Sequence, residues 1–207
     1  MNGPGRNVWT IGHSTHSLEQ FVTMLKRHGI TAVADVRSSP YSRFNPQFNR
    51  ESLERSLKEA GIAYVFLGRE LGARSEDPSC YKDGQVRYDL LARTELFKSG
   101  LQRVIKGAES HRVTLMCAEK DPLECHRTLL VGRALVGSGA AVTHILGDGS
   151  IESHDDAMTR LLRLTGTPES DFFSSREELV AQACAAQEAR IAYVDEDARA
   201  APGRVAG

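Results

Sequence analysis

The residue types best suited to covalent chemistry are concentrated between Cys117 and Arg127, in the run Cys-Ala-Glu-Lys-Asp-Pro-Leu-Glu-Cys-His-Arg. The apolar stretch after it predicts a helix from about residue 126 to 136, so Cys125 should lie near a helix N-terminus. A thiol there, beside His126 and Arg127, has a depressed pKa and enough thiolate to act as a nucleophile. The sequence therefore makes Cys125 the first candidate nucleophile and Cys117 the second.

Three other interpretations of this segment can be compared with its residues: a structural cysteine, an anion-binding cradle and a metal site. Cys117 could be a small buried hydrophobe that ends a strand. A phosphatase-like or rhodanese-like cradle needs arginine at the sixth position after its cysteine, but Leu123 stands there. A metal site is disfavoured, because the paired spacing typical of zinc ligands is missing and because Cys125 and His126 would point about 100° apart if both were helical. We therefore predict no metal ligands and no cofactor.

Strands and helices alternate along the chain and should place this segment at one edge of a sheet. Runs of apolar and β-branched residues predict five strands, at residues 8–11, 32–36, 64–66, 113–117 and 141–146. The alternation predicts a single-domain α/β fold, with a mostly parallel, about five-stranded sheet covered by helices and followed by C-terminal helices. We expect an α/β domain at 8–149 carrying the site, a helical extension at 150–197 packed on it, and a flexible tail at 198–207.

Ligands of open parallel sheets bind at the carboxyl ends of the strands. Polar residues stand at or just after four predicted strand ends: His13, Ser14, Asp35, Arg37, Arg69, Cys117 and Glu119. The alternative is that such loops are always polar, and that Asp35 simply accepts hydrogen bonds from the backbone. The sequence thus predicts that acidic, basic and thiol side chains lie along the carboxyl edge of the sheet, with the role of each residue open.

The loop after the second strand has a composition suited to phosphates and stacked bases. It contains three arginines, three aromatic residues and no acid, namely Arg37, Arg43, Arg50, Tyr41, Phe44 and Phe48. The alternative is a rigid loop whose aromatic rings pack on the sheet while its arginines pair with nearby acids such as Glu51. Both interpretations stay open at this stage.

Four ordered motifs resemble the Domain of Unknown Function 488 family. They are Thr10-Ile-Gly-His13-Ser14, Asp35-Val-Arg37, Leu67-Gly-Arg-Glu-Leu-Gly72, and Leu115-Met-Cys117-Ala-Glu119 with Cys125-His126-Arg127. The resemblance runs from about residue 8 to 149 and implies a compact bacterial or archaeal α/β domain. It also implies that His13, Asp35, Arg37, Glu119, Cys125, His126 and Arg127 belong to one site, without giving their roles.

A shorter likeness concerns the Cys-His-Arg run, which resembles the acceptor segment of DNA alkylguanine alkyltransferases. That family has proline before its cysteine, where this chain has Glu124. Three residues support a hypothesis of alkyl transfer and no more.

Composition limits the partners. The 26 basic and 27 acidic residues nearly cancel, so no global charge favours nucleic acid or membrane surfaces. Four scattered cysteines and the lack of an apolar N-terminal segment predict free thiols in a reducing, cytoplasmic setting. No run approaches the roughly 20 apolar residues that span a bilayer. The oligomeric state is not indicated.

The leading hypothesis is an enzyme in which Cys125 is the nucleophile, His126 or His13 the general base and Glu119 a base or orienting acid. The groups expected to bind a nucleotide, nucleobase or other anionic substrate are Ser14, Asp35, Arg37, Tyr41, Arg43, Arg69 and Arg127. One rival is a nucleic-acid-binding or repair-associated module that grips a strand with the arginines and aromatics of the 37–50 loop. Another is a metal-dependent protein that uses the thiols and histidines.

Overall fold

The computed structural model describes residues 7–196, and the predicted tail at 198–207 lies outside the described residues. The strands are β1 (Asn7–Gly12), β2 (Ala32–Asp35), β3 (Ala63–Phe66), β4 (Tyr81–Lys82), β5 (Gln85–Val86), β6 (Val113–Cys117), β7 (Ala141–Ile145) and β8 (Ile151–Ser153). The helices are α1 (Leu18–Arg27), α2 (Arg50–Glu59), α3 (Gly68–Leu71), α4 (Tyr88–Leu91), α5 (Glu95–Gly107), α6 (Arg133–Gly137), α7 (His154–Thr165) and α8 (Arg176–Ile191). A π-helical turn, Arg127–Gly132, leads directly into α6.

The predicted α/β fold is confirmed, and the sheet contains one strand more than expected. Its order is β3-β2-β6-β1-β7-β8, with parallel pairing throughout except between β7 and β8. The three-residue β8 was too short to be predicted from a hydrophobic pattern. The stretch 67–92, which has too little periodicity in its sequence to predict a helix or strand, contains α3, the β4–β5 hairpin and α4.

Helices cover both faces of the sheet because side chains alternate along each strand. One face packs Trp9 and Ile11 of β1 against Phe21 of α1 and Leu53 of α2. The opposite face packs Val8 against a larger layer from α5 to α8, which includes Phe97, Leu129, Leu161 and Leu179. The two C-terminal helices therefore share the core of the sheet.

Local sequence signals set the ends of several helices. Capping boxes form at α1, between Ser17 and Gln20, and at α8, between Ser175 and Glu178, as the three-residue spacing of a serine from Gln or Glu indicates. Within the described part of the chain, no helix is both long and apolar enough to cross a membrane.

The strand order opens a crevice at the carboxyl ends of the central strands. The chain leaves β1 and crosses β6 to reach β2, whereas it leaves β6 and crosses β1 to reach β7. Loops that depart in opposite directions from neighbouring parallel strands leave a gap between them, where ligands of such sheets bind. Here that gap lies at the ends of β2, β6 and β1.

Candidate functional site

Close backbone packing fixes the loop that follows β6. The amides of His13 and Ser14 donate to the carbonyl oxygens of Cys117 and Ala118, both at 2.9 Å. Gly12 packs directly against the backbone of Glu119, because a Cβ atom at position 12 would stand 1.8 Å from the carbonyl oxygen of Glu119. The end of β1 therefore holds the start of the cysteine-bearing loop at main-chain distance.

Three side chains from this loop meet at one point. The Nδ1 atom of His126 lies 3.8 Å from the sulfur of Cys117 and 3.9 Å from the sulfur of Cys125. All three atoms lie within 4.8 Å of one another, and both thiols are free. Cys125 is 2 % exposed and Cys117 6 %. We call this the thiol cluster.

The imidazole of His126 is held in one orientation. Its Nε2 atom lies 2.9 Å from the carbonyl oxygen of Val36, which can only accept a hydrogen bond. In the neutral ring the proton is therefore on Nε2, and the lone pair of Nδ1 faces the two sulfurs. His126 can accept a proton from either thiol or bind a metal ion through Nδ1.

Two thiols this close do not ionise together. Burial raises the pKa of Cys125, but the hydrogen bond from Cys117 and the charges of Arg127 and His126 outweigh it and bring the pKa well below its usual value. The pKa of Cys117 is raised well above its usual value by its hydrogen bond to Cys125 and by burial. The first thiolate of the pair therefore forms on Cys125.

Arg127 is a fully buried cation that supports this thiolate. Its guanidinium donates to the carbonyl oxygens of Glu119 at 2.8 Å and Lys120 at 3.3 Å, and its backbone amide lies 3.5 Å from the sulfur of Cys125. No carboxylate within salt-bridge distance of Arg127 is found in residues 7–196. A buried charge without an acidic partner favours an anion nearby, and the Cys125 thiolate provides one.

The conformation at Cys125 removes the objection that Cys125 and His126 would point apart if both were helical. Cys125 is extended, with φ −142° and ψ 140°, and only His126 has helical angles, with φ −60° and ψ −24°. The side chains of Cys125 and His126 therefore converge on one point. The predicted helix also begins as the π-helical turn Arg127–Gly132, a form often found at functional sites.

A second buried group lies beside the cluster, at the end of β2. Arg37 forms a bidentate ion pair with Asp35, at 2.9 and 2.7 Å, and Asp35 also accepts from Tyr64 at 2.8 Å. The remaining terminal nitrogen of Arg37 lies 3.3 Å from Nε2 of His13, whose Nδ1 donates to Ser14. Burial lowers the pKa of His13 to about 4, so this ring is neutral near pH 7. The arrangement fixes Arg37 at the wall of the crevice.

The thiol cluster lines a cavity of about 450 Å³, within the range of small-molecule sites. A second cavity of about 430 Å³ contains His13, Ser14 and Lys120. Five residues line both cavities: Arg37, Ser39, Tyr41, Ala118 and Glu119. The crevice therefore has two adjoining compartments, with Glu119 and Arg37 between them.

Glu119 is the acid that borders both compartments. Its pKa is raised because the protein partly removes water from the carboxylate and because the charge of Cys125 is close. It can therefore hold or exchange a proton near the thiol cluster.

The structure distributes the residues predicted for the site among different environments. Those that line the crevice are His13, Ser14, Arg37, Tyr41, Cys117, Glu119, Cys125 and His126. Asp35 and Arg127 are 0 % exposed and contact the site from behind. Arg43 is stacked on Phe44 and exposed, and Arg69 is exposed on α3, so both lie away from the lining of either compartment.

Sequence reasoning missed several lining residues because they come from distant segments. Arg74 belongs to the stretch 67–92, and Ile191 and Tyr193 lie at and just beyond the end of α8. The guanidinium of Arg74 stacks 4.6 Å from the ring centre of Tyr193. The Gly68 and Gly72 motif has a packing role, since Cβ atoms there would stand 2.0 Å from the Arg37 carbonyl oxygen and 2.5 Å from Ser38 Oγ.

Fold and site together define an open α/β domain with a buried thiol and imidazole cluster at the carboxyl edge of its sheet. A family model, described as a domain of unknown function, DUF488, matches residues 17–134. The chain belongs to this family. Searches of curated proteins and of solved structures gave no match.

Proposed function

We propose that this chain is a thiol-dependent enzyme in which Cys125 attacks a small polar or anionic substrate bound in the crevice. The observation that carries the proposal is the position of His126, whose unprotonated Nδ1 faces both sulfurs while Val36 fixes the opposite side of the ring. A base held within reach of a thiol is the arrangement that activates cysteine nucleophiles. A reducing, cytoplasmic setting would keep both thiols available.

The step assigned to Cys125 is a substitution. The thiol proton passes to Nδ1 of His126, the sulfur forms a bond to an electrophilic carbon of the substrate, and the leaving group departs with the electron pair of the broken bond. The imidazolium or Glu119 then returns a proton to the leaving group. Cys117 supports the thiolate by donating a hydrogen bond to it.

The substrate class we propose is a nucleotide, nucleobase or related anion. Tyr41, Tyr88 and Tyr193 supply aromatic faces in the compartment of the thiol cluster. Lys120 and Ser14, in the adjoining compartment, supply a positive charge and a hydroxyl group. An aromatic compartment next to a cationic one suits a base joined to a phosphate.

The pH dependence of alkylation tests this proposal. Reduced, metal-free protein is treated with iodoacetamide from pH 5 to 10, and modification is followed at each cysteine by mass spectrometry. We expect Cys125 to react with a midpoint below the usual thiol pKa of about 8.5 and to be protected by a mononucleotide. Cys80 and Cys184, each 1 % exposed and absent from the lining of both compartments, are internal controls. An inert Cys125, or one that reacts only above the usual thiol pKa, would refute the proposal.

One observation favours nucleic-acid binding as a second candidate function. Phe44 is 86 % exposed and Tyr41 55 %, and Arg43 stacks over the Phe44 ring with 5.7 Å to its centre. Exposed aromatic and guanidinium groups bind single strands by stacking. By contrast Phe48 is 0 % exposed, so it is not available to a strand. Salt-dependent binding of labelled single-stranded DNA, lost in an Arg43→Ala, Phe44→Ala variant, would support this candidate.

A further inference from the structure

We propose that the thiol cluster binds one Zn²⁺ ion through Cys117, Cys125 and His126, with the fourth coordination position open to the crevice. This inference concerns the same cluster as the proposed function and adds its regulation, because a sulfur bound to zinc is withheld from nucleophilic attack. It depends on the arrangement of three donor atoms.

The distances between the donors suit tetrahedral zinc. With Zn–S bonds of about 2.3 Å and Zn–N bonds of about 2.0 to 2.1 Å, a tetrahedral site separates sulfur from nitrogen by about 3.6 Å and the two sulfurs by about 3.8 Å. The observed separations from Nδ1 of His126 are 3.8 Å for Cys117 and 3.9 Å for Cys125, and all three atoms lie within 4.8 Å. The two sulfur–nitrogen separations are within about 0.3 Å of the tetrahedral value, and the two sulfurs, at most 4.8 Å apart, need to approach by up to about 1 Å to complete the site.

The equal approach of two sulfurs to one nitrogen favours a metal site. A nucleophile and base pair needs only one thiol within reach of the imidazole. Here Nδ1 of His126 is close to the sulfurs of both Cys117 and Cys125. Cys117 is at the end of β6, and Cys125 follows the turn Pro122–Glu124. The extended backbone at Cys125 and the helical backbone at His126 allow these two adjacent residues to reach the same ion.

The surroundings supply the outer contacts that metal sites use. A ligating histidine commonly donates its other ring N–H to a carbonyl group, and Nε2 of His126 does so to Val36 at 2.9 Å. The backbone amide of Arg127 lies 3.5 Å from the sulfur of Cys125 and can support a ligating thiolate. Zinc binding would release the protons of both thiols, and two thiolates would neutralise the ion.

The set of three ligands leaves one position for solvent or another ligand. Structural zinc sites are closed by four protein ligands, whereas sites with three protein ligands keep an exchangeable position. Cys117, Cys125 and His126 line the cavity of about 450 Å³ together with Glu119. The open position would face this space, so the ion could be removed by chelators and replaced.

Zinc titration of the whole chain tests the inference. Protein purified without a histidine tag is reduced, freed of metal and titrated with Zn²⁺ against a chromophoric chelator. We expect one equivalent to bind, and affinity to fall at least tenfold in Cys117→Ser, Cys125→Ser and His126→Gln variants. Cys80→Ser, which changes a buried thiol outside the cluster, is the matched control and should bind as the unchanged chain does. Co²⁺ should give a thiolate charge-transfer band that both cluster cysteine variants weaken.

Alkylation separates this inference from the proposed function. With one equivalent of Zn²⁺, modification of Cys125 should slow at least tenfold and recover when a chelator is added. If Zn²⁺ fails to bind while the metal-free Cys125 reacts fast near neutral pH, the zinc inference is overturned and the proposed function stands. If Zn²⁺ binds through the cluster while the metal-free Cys125 is inert, the inference stands and the proposed function is overturned. Zinc binding that survives the loss of any two of the three cluster residues would also overturn the zinc inference.

Discussion

The Nε2 atom of His126 lies 2.9 Å from the carbonyl oxygen of Val36, although the two residues are 90 positions apart in the chain. Val36 follows β2 and His126 follows the loop after β6, and these strands are neighbours in the sheet. The pairing of two strands therefore determines which nitrogen of the imidazole faces the sulfurs. That tautomer is the basis for the proposed base and for the proposed zinc ligand.

Replacing His126 with Gln should slow the reaction of Cys125 while keeping the fold. The amide nitrogen of Gln can still donate to Val36, but no base then faces the sulfurs. At a pH below the midpoint of the alkylation profile, we expect the alkylation rate of Cys125 in metal-free protein to fall about tenfold, as a rise of one unit in its pKa would give. Mass spectrometry measures the rate, and His111→Gln, at an exposed position, should leave it unchanged. An unaltered rate in His126→Gln would argue against the role of the imidazole.

Arg127 should control the charge state of Cys125. Arg127→Met keeps much of the buried volume but removes the positive charge that lowers the pKa of this thiol. We expect the midpoint of the alkylation profile to move upward by about one pH unit. The exposed Arg43 provides the control, because Arg43→Met should not shift the profile. A profile that stays in place in Arg127→Met would show that the thiolate does not depend on this guanidinium.

Gly12 should tolerate no side chain, since the Cβ of Ala would overlap the carbonyl group of Glu119. Relief of this overlap moves the loop that carries Cys117, so Gly12→Ala should lower the free energy of unfolding by about 1 to 3 kcal/mol. Gly137, in α6, has nothing within 4 Å of an added Cβ. Gly137→Ala should be neutral or stabilising by about 0.5 to 1 kcal/mol. Urea unfolding measures the free energy of unfolding of both variants. Equal stabilities of Gly12→Ala and Gly137→Ala would contradict the close approach of Gly12 to Glu119.

Stability should fall as the pH is lowered from about 6.5 toward 4. Burial lowers the pKa of His13 to about 4, of His144 to about 3 and of His154 to about 4. In the unfolded chain these rings have a pKa of about 6.5. The unfolded state therefore binds more protons in this window, and the free energy of unfolding rises with pH across it.

Urea midpoints at pH 7.5 and pH 5.5 measure this dependence. The midpoint should be lower at pH 5.5, and His13→Asn, which can keep the hydrogen bond to Ser14, should reduce the difference. His111→Asn changes an exposed ring and serves as the comparison. A pH difference that His13→Asn leaves intact would show that His13 is not one of the groups responsible.

Much of the fold was predictable because its signals are local. Five of the six strands of the main sheet and both capping boxes follow from patterns within a few residues, such as Ser17 with Gln20. The strand β8 and the β4–β5 hairpin were missed, since two or three residues carry too little pattern. The order β3-β2-β6-β1-β7-β8 was also beyond local analysis, because pairing between distant strands depends on how all the helices pack.

The sequence alone determined that thiols, an imidazole, a carboxylate and guanidinium groups would follow the strands of one sheet, because the alternation of residues fixes strands and their ends. Their roles depend on where the folded chain places them. It buried Asp35 and Arg127 behind the crevice, left Arg43 and Arg69 outside it, and brought Tyr193 into it from beyond α8. It also gave Cys125 an extended backbone, so that this residue and His126 face one point. Such convergence depends on contacts between distant segments, like that of His126 with Val36, which no local pattern encodes.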